Sequence, residues 1–270
     1  MLSEIVMQNR KQRPLIHYIG NHVTSNDCAN ILLACGGSAI MAEDPDEVAE
    51  VTAMCGGLVL NMGTPNPRKL EALLIAGQAA NRLGHPVILD PAGVGSSDMR
   101  KQAARRLLDQ VRFAAIRANA AEISTLVRGT AAHRGVDADD AETTIEDTAG
   151  LAGRLSRRTG AVVVVTGDTD IVTDGATFYR VHNGHSMMRT VTGSGCQLSA
   201  LLGAYITANP KQPLEAALAA VCAMGLAGEI AHERLGPLDG NAGYRNYIID
   251  AIYNLAPDAL ERGAQYEIFD

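Results

Sequence analysis

The sequence predicts an α/β fold: a mostly parallel central sheet covered by helices on both faces, with an antiparallel meander at one edge. Three observations predict it. Short runs of wholly apolar residues recur along the chain. Each is followed by turn residues and then by helical spacing. After Val165 the pattern changes to short strand-like pieces separated by Asp174-Gly175 and Asn183-Gly184. Strands that are apolar throughout suit a sheet buried on both faces, and alternation with helices suits right-handed βαβ units.

The elements follow in order. Leu58-Val59-Leu60-Asn61 reads as a strand, stopped by Gly63 and Pro65, with a helix from Asn66 to about Leu83. Pro86 to Asp90 is the next strand, stopped by Pro91 and Gly93, and a helix runs from about Ser97 to Val111. Ala114 to Arg117 is a strand, with a helix starting near Ala120. A helix from about Thr144 to Thr159 leads to the strand Ala161 to Val165. Asp-Gly and Asn-Gly favour hairpins because both tolerate positive φ. They predict a meander of Ile171–Thr173, Thr177–Val181 and Ser186–Arg189. Long helices then cover Cys196 to Ala208 and Leu214 to Arg234, and a final helix covers Tyr247 to Leu255. Gly129 to Asp140 and Gly236 to Asn241 read as loops, and neither marks a domain boundary.

With 270 residues and no linker or repeat, one domain over 1–270 is expected. The 47% hydrophobic content is enough for a large core and argues against disorder. The net charge of −7, with no basic run beyond Arg100-Lys101 and Arg105-Arg106, argues against nucleic acid as partner. Five cysteines without a CxxC pair suggest neither a disulfide framework nor a zinc site, which fits a reducing cytoplasm. The first residues do not read as a signal peptide, and no membrane span is expected. The seven histidines show no metal-ligand spacing.

In an open α/β sheet, ligands bind beyond the carboxyl ends of the strands. The polar groups there are Asn61 to Thr64, Asp90-Pro91, Arg117 to Asn119 and Thr166 to Asp168. Thr192-Gly193-Ser194-Gly195-Cys196 precedes a helix, so its backbone amides offer an anion hole suited to phosphate. It is not a Walker A loop, and its plainer reading is a turn that caps a helix. Cys196 at that helix start is biased toward the thiolate. It is a buried filler, a nucleophile, or a group placed near a substrate hydroxyl. Asp90 and Glu122 are candidates for holding a hard cation through oxygen and water. Asn119 and Glu122, three apart, equally suit a capping box. Arg117 matches phosphate oxygens, or pairs with a nearby carboxylate. The Thr166 hydroxyl meets a phosphate or caps its own turn.

Taken together, PLIHYIGNHVTSNDCANILLACGGSAIM (14–41), LVLNMGT (58–64), VILDPAGVG (87–95), AIRANAAEI (115–123), VVVTG (163–167) and VTGSGC (191–196) resemble the hydroxyethylthiazole kinase family. That family belongs to the ribokinase-like superfamily. The resemblance implies transfer of the ATP γ-phosphoryl group to the primary alcohol of 4-methyl-5-(2-hydroxyethyl)thiazole, feeding thiamine diphosphate synthesis by salvage. It implies Mg²⁺, and a homotrimer with active sites at subunit boundaries. It places Met41 and Gly193 against the thiazole, with Asn21 and Val23 lining the pocket. Arg117 and Thr166 would bind ATP phosphates, with Asn119 and Gly195 counted in the same group. Asp90 and Glu122 would hold Mg²⁺ and its waters, and Cys196 stands where many relatives carry an aspartate base.

Four positions depart from the family pattern. Gly20 replaces a common Thr, Ala118 a common Gly, and Asp168 the Glu of TGE. Gly236-Pro237-Leu238-Asp239-Gly240 replaces a GPGSF-like segment. Rival functions are a related kinase acting on another alcohol such as a hydroxymethylpyrimidine, a cysteine hydrolase using Cys196, and a non-catalytic thiazole or thiamine sensor. The hydrolase needs a positioned His that no spacing identifies. A sensor needs no metal or γ-phosphate contacts.

Overall fold

The computed structural model describes residues 1–129 and 144–269. The chain begins with α1 (Leu2–Gln12), β1 (Leu15–Ile19), α2 (Ser25–Ala34), β2 (Ser38–Ile40), α3 (Val48–Met54) and β3 (Gly57–Asn61). It continues as α4 (Pro67–Leu83), β4 (Val87–Asp90), α5 (Asp98–Gln110), β5 (Ala115–Asn119) and α6 (Ala120–Arg128). After the boundary come α7 (Ile145–Thr159), β6 (Val162–Thr166), β7 (Asp170–Thr173) and β8 (Phe178–Val181). The remainder is α8 (Ser194–Ala208), α9 (Pro213–Glu233), α10 (Asn241–Asn254), α11 (Pro257–Gly263) and β9 (Tyr266–Ile268).

The strands form one sheet in the order β2-β1-β3-β4-β5-β6-β7-β8-β9. Pairing is parallel from β2 to β6 and antiparallel from β6 to β9. The apolar strands are buried on both faces, as their composition requires. In β6, Val162 and Val164 join a core built with α1, α2, α8, α9 and α10. Val163 and Val165 join the opposite core, built with α4 to α7. Alternate side chains of a strand point to opposite faces, so one run of valines feeds two cores.

Helix ends follow local chemistry. Asn66 caps α4, accepting from the Lys69 amide, with Pro67 at the first helical position. Ser97 caps α5. Asn119 and Glu122 form a capping box on α6, and Thr144 and Asp147 form one on α7.

The elements before β3 carried no sequence expectation, and three later regions differ from theirs. Ser186–Thr190 is a 3-10 turn rather than a third meander strand. Its backbone is held locally: the Met187 amide donates to His185 Nδ1 (3.2 Å), and the Thr190 hydroxyl donates to the Met187 carbonyl (2.8 Å). The place beside β8 is taken by β9, from the end of the chain. The last long helix starts at Asn241, six residues before the expected Tyr247. The loop expected over 129–140 lies, beyond Gly129, outside the described residues.

Helix α9 is long and apolar enough to cross a membrane by length and composition, although Glu215 and Glu229 interrupt its apolar run. Its most apolar window is 72% buried within the fold, where it packs on α8 and α10. Its apolarity is therefore accounted for as a core helix.

Candidate active site

The carboxyl ends of β1, β3, β4, β5 and β6 converge on the first turn of α8. Asn61 and Asp90 are register partners at the ends of β3 and β4, and Asn119 and Thr166 at the ends of β5 and β6. Gly193 caps α8 with φ +87°, a left-handed conformation that favours glycine. A Cβ on Gly193 would overlap Thr24, and one on Gly195 would overlap the Arg117 guanidinium. The two glycines let a helix start settle between α2 and a buried arginine. The Gln197 amide is the first to close onto the turn, bonding to the Gly193 carbonyl (2.9 Å). The amides of Ser194, Gly195 and Cys196 precede it, where an α-helix has no internal partners.

Asp90 is fully buried. Its Oδ2 accepts from Asn61 Nδ2 (2.9 Å) and the Ser199 hydroxyl (2.8 Å). Its Oδ1 lies 3.6 Å from Arg117 Nη1 and has no hydrogen-bond partner. Arg117 Nη2 donates to Thr166 Oγ1 (2.8 Å). Burial opposes the guanidinium charge, but Asp90, Glu122 and Asp170 more than offset it and hold its pKa above the usual value. Arg117 therefore pairs with a carboxylate, one of its two sequence readings, and also lines a cleft.

That cleft is a cavity of about 640 Å³ bounded by Arg117, Thr166, Gly195, Asp170, His185 and Met224, among others. Asp170 accepts from the Gly167 amide (2.9 Å). Burial pushes its carboxyl up to about 6, against that amide and the Arg117 charge. A larger cavity of about 820 Å³ lies between α5 and α6, next to Gly129, where the described residues end. None of the predicted site residues lines it.

On the other side of the α8 turn, Cys196 Sγ accepts from Asn61 Nδ2 (3.2 Å) and Asn21 Nδ2 (3.4 Å). Asn21 is buried, and its Oδ1 accepts from the Val23 and Thr24 amides (3.0 and 3.1 Å). The thiolate bias expected for Cys196 is not what the surroundings produce. Burial and the Asp90 charge raise its pKa, and the Thr24 hydroxyl, Arg117 and Asn61 only partly oppose them. At neutral pH Cys196 is a thiol.

The donor set can be tested against a metal. Glu122 Oε1 accepts from the Gly93 amide (2.8 Å), and Oε2 from the Asn119 amide (2.9 Å). Burial raises the Glu122 pKa, opposed by those amides. The unpartnered Asp90 Oδ1 and the spare lone pairs of Glu122 are hard oxygen donors. No cluster of three or more His, Cys, Asp or Glu side chains suits a metal among the described residues. The site therefore fits a divalent ion held by one or two carboxylates, with water and substrate phosphate supplying the rest.

The sequence profile of the hydroxyethylthiazole kinase family matches residues 6–258. The chain belongs to the hydroxyethylthiazole kinase family. It is 50% identical to a hydroxyethylthiazole kinase of Clostridium acetobutylicum, covering all of both chains. It is 44% identical to one of Desulfovibrio desulfuricans, covering 99% of this chain and 98% of the other. The solved structure of a hydroxyethylthiazole kinase protein of Pyrococcus horikoshii OT3 superposes with TM-score 0.89 at 30% identity, covering 100% and 99%. A Staphylococcus aureus pyridoxal kinase superposes with TM-score 0.67 at 14% identity over 94% of this chain and 97% of the other, which shows the ribokinase-like fold alone.

The family's expected residues fall into two groups. Asn21, Asp90, Arg117, Thr166, Gly193, Gly195 and Cys196 are brought together around the α8 turn, with Glu122 facing the same charges. Asn119 is at their edge and spends its Oδ1 on the Glu122 amide. The Val23 amide bonds Asn21, but the side chains of Val23 and Met41 are outside the network, the residues being 65% and 39% exposed. Asn61, Ser199 and Asp170 were not singled out from sequence; only the strand-end position of Asn61 pointed to it. The Gly20 departure has a local cause, because a Cβ there would overlap the Tyr18 ring.

Proposed function

We propose that the protein transfers the ATP γ-phosphoryl group to the primary alcohol of 4-methyl-5-(2-hydroxyethyl)thiazole, as one catalytic domain over residues 1–270. The product is the thiazole phosphate used in thiamine diphosphate synthesis. The observation that carries this reading is the α8 first turn, with Cys196 on one side and Arg117 with its 640 Å³ cleft on the other. An alcohol beside Cys196 and a triphosphate beside Arg117 would meet at the free amides of residues 194–196.

Phosphoryl transfer through a loose transition state needs positioning and charge stabilisation more than covalent chemistry. Arg117 and the α8 amides supply fixed positive ends for the transferring oxygens. Thr166 and Gly195 shape the phosphate side, with Asn119 at its rim. A divalent ion, Mg²⁺ on this reading, would neutralise phosphate charge while Asp90 and Glu122 hold it and its waters. Cys196, protonated at neutral pH, positions the alcohol, whose proton leaves late. Asn21, Val23, Met41 and Gly193 line the thiazole side.

The exposed Val23, Leu33, Met41 and Met54 lie on or beside α2, α3 and the edge strand β2. They support a homotrimer in which each thiazole pocket is completed at a subunit boundary. Free, mostly buried cysteines support a cytoplasmic enzyme. ADP release across thiazole, pyrimidine and sugar alcohols tests the function. Turnover with the thiazole alcohol is expected, and a response only to the other alcohols overturns the substrate.

A further inference from the structure

Lys69 stands in the first turn of α4, its main-chain amide held by the Asn66 cap (2.9 Å). Its side chain is 2% exposed. No carboxylate lies within ion-pair distance among the described residues. Instead Nζ donates to two main-chain carbonyls, that of Gly20 and that of Gly63 (2.7 Å). This arrangement is costly in three ways. A buried ammonium loses its hydration, it has no counter-ion, and a cation at a helix N-terminus faces the positive dipole end. Burial lowers its pKa to about 8.

The two carbonyls belong to the loops that follow β1 and β3. Those loops are joined at other points too. Asn21 Nδ2 donates to Asn61 Oδ1 (3.3 Å), and the His22 amide donates to Thr64 Oγ1 (3.3 Å). They approach so closely at Gly63 that a Cβ there would lie 2.9 Å from that of Asn21. Thr64 adopts φ +44°, a strained backbone for a β-branched residue that persists only where neighbours impose it. The side chains these loops present inward, Asn21 and Asn61, are the two that hold Cys196 Sγ.

We infer that Lys69 is a positioning residue for the acceptor alcohol. Its ammonium clamps the Gly20 and Gly63 carbonyls, and so sets Asn21 and Asn61 against Cys196. The inference rests on the proposed alcohol kinase activity. Lys69 does not line the nucleotide cleft, so its effect falls mainly on the acceptor side, with the Asn61–Asp90 hydrogen bond its one link to the metal side. The cost of the buried charge is then offset by a fixed geometry rather than by an ion pair.

The experiment measures KM for the thiazole alcohol, KM for ATP and kcat in Lys69→Met and Lys69→Gln, with melting temperatures as a check on folding. Methionine keeps an unbranched apolar stem, one atom shorter, and removes every donor. Glutamine keeps a donor but is too short to bridge both carbonyls. Loss of hydrogen bonds from a charged donor should raise the alcohol KM about tenfold or more in Lys69→Met, and less in Lys69→Gln. The ATP KM should stay within about twofold. If Lys69→Met does not fold, Lys69→Gln carries the test on the same readouts. An unchanged alcohol KM in folded variants of an active wild type, or an equal rise in both KM values, overturns the positioning role alone. A wild type that phosphorylates no thiazole alcohol overturns the functional reading and this inference with it.

Discussion

Asn61 and Cys196, 135 residues apart in the chain, meet at 3.2 Å, with the Asn61 amide donating to the sulfur. The same Nδ2 donates to Asp90 Oδ2 (2.9 Å), while Oδ1 accepts from Gly63 N (2.8 Å) and Asn21 Nδ2 (3.3 Å). All hydrogen-bonding capacity of a fully buried amide is spent. One side chain therefore fixes the carboxylate of the metal side and the thiol of the alcohol side together.

Replacing Asn61 tests that coupling. Asn61→Leu leaves Asp90 Oδ2 with Ser199 alone and Cys196 Sγ with Asn21 alone. It should destabilise the fold by about 1–3 kcal/mol, the usual cost of unpaired buried polar groups. Misplacement of both groups should lower kcat by about 100-fold. Steady-state kinetics beside urea unfolding separates the two effects. A stable, fully active Asn61→Leu would show that the amide organises nothing.

For Cys196, the surroundings predict a thiol that positions rather than a thiolate that attacks. Alkylation by iodoacetamide should be slow at pH 7 and accelerate only above about pH 9, because the folded pKa is raised above its ordinary value. Cys196→Asp should keep or raise kcat, since Asn21 and Asn61 supply N–H donors that suit a carboxylate better than sulfur. Fast alkylation at pH 7, or a folded, ATP-binding but inert Cys196→Asp, would contradict this account.

Arg117 carries opposite duties in stability and in catalysis. Arg117→Met strips a fully buried Asp90 of the one cation within ion-pair distance among the described residues, a loss worth about 3–5 kcal/mol for a buried pair. It also removes a fixed charge from the phosphate side, which should lower kcat by about 10²–10³. Arg117→Lys should recover stability better than rate, because an ammonium cannot reach Asp90 and Thr166 as the guanidinium fork does. Recovery of the full rate by lysine would remove the argument for the fork.

Much of this was legible in the sequence, and the reasons differ by residue. Asp90, Arg117 and Thr166 were visible because each ends an apolar run, where a polar group has to serve a ligand or a partner. The β6 valines announced a sheet buried on both faces. β1 was not predicted as a strand although all but one of its residues are buried, because His17 interrupts its apolar run. That histidine is satisfied internally, by Thr52 Oγ1 and the Ala42 carbonyl (both 2.9 Å). β9 pairs with β8 across more than eighty residues, which no local spacing reports. Lys69 was invisible for a related reason: a lysine in a polar helix start reads as solvated, and only the folded loops of Gly20 and Gly63 bury it.

Lys69 also makes a prediction about stability and pH. Its folded pKa is about 8, against an ordinary 10.5. Below pH 8 both folded and unfolded chains carry the proton, and the burial penalty is present in full. Between pH 8 and 10.5 the unfolded chain binds more protons than the folded one, so this residue's contribution to stability rises with pH. The whole change is about 3 kcal/mol. Glu43, Cys196, Arg100 and Asp90 are the other charged or titratable groups that act on Lys69, and they are common to wild type and Lys69→Met. Their own titrations therefore largely cancel in the difference. Chemical unfolding of both proteins from pH 7 to 10.5 should show the wild type gaining stability relative to Lys69→Met as pH rises, whatever the difference at pH 7. Parallel stability curves across that window would mean that the ammonium is not desolvated, and that the clamp on the two carbonyls is made at no cost.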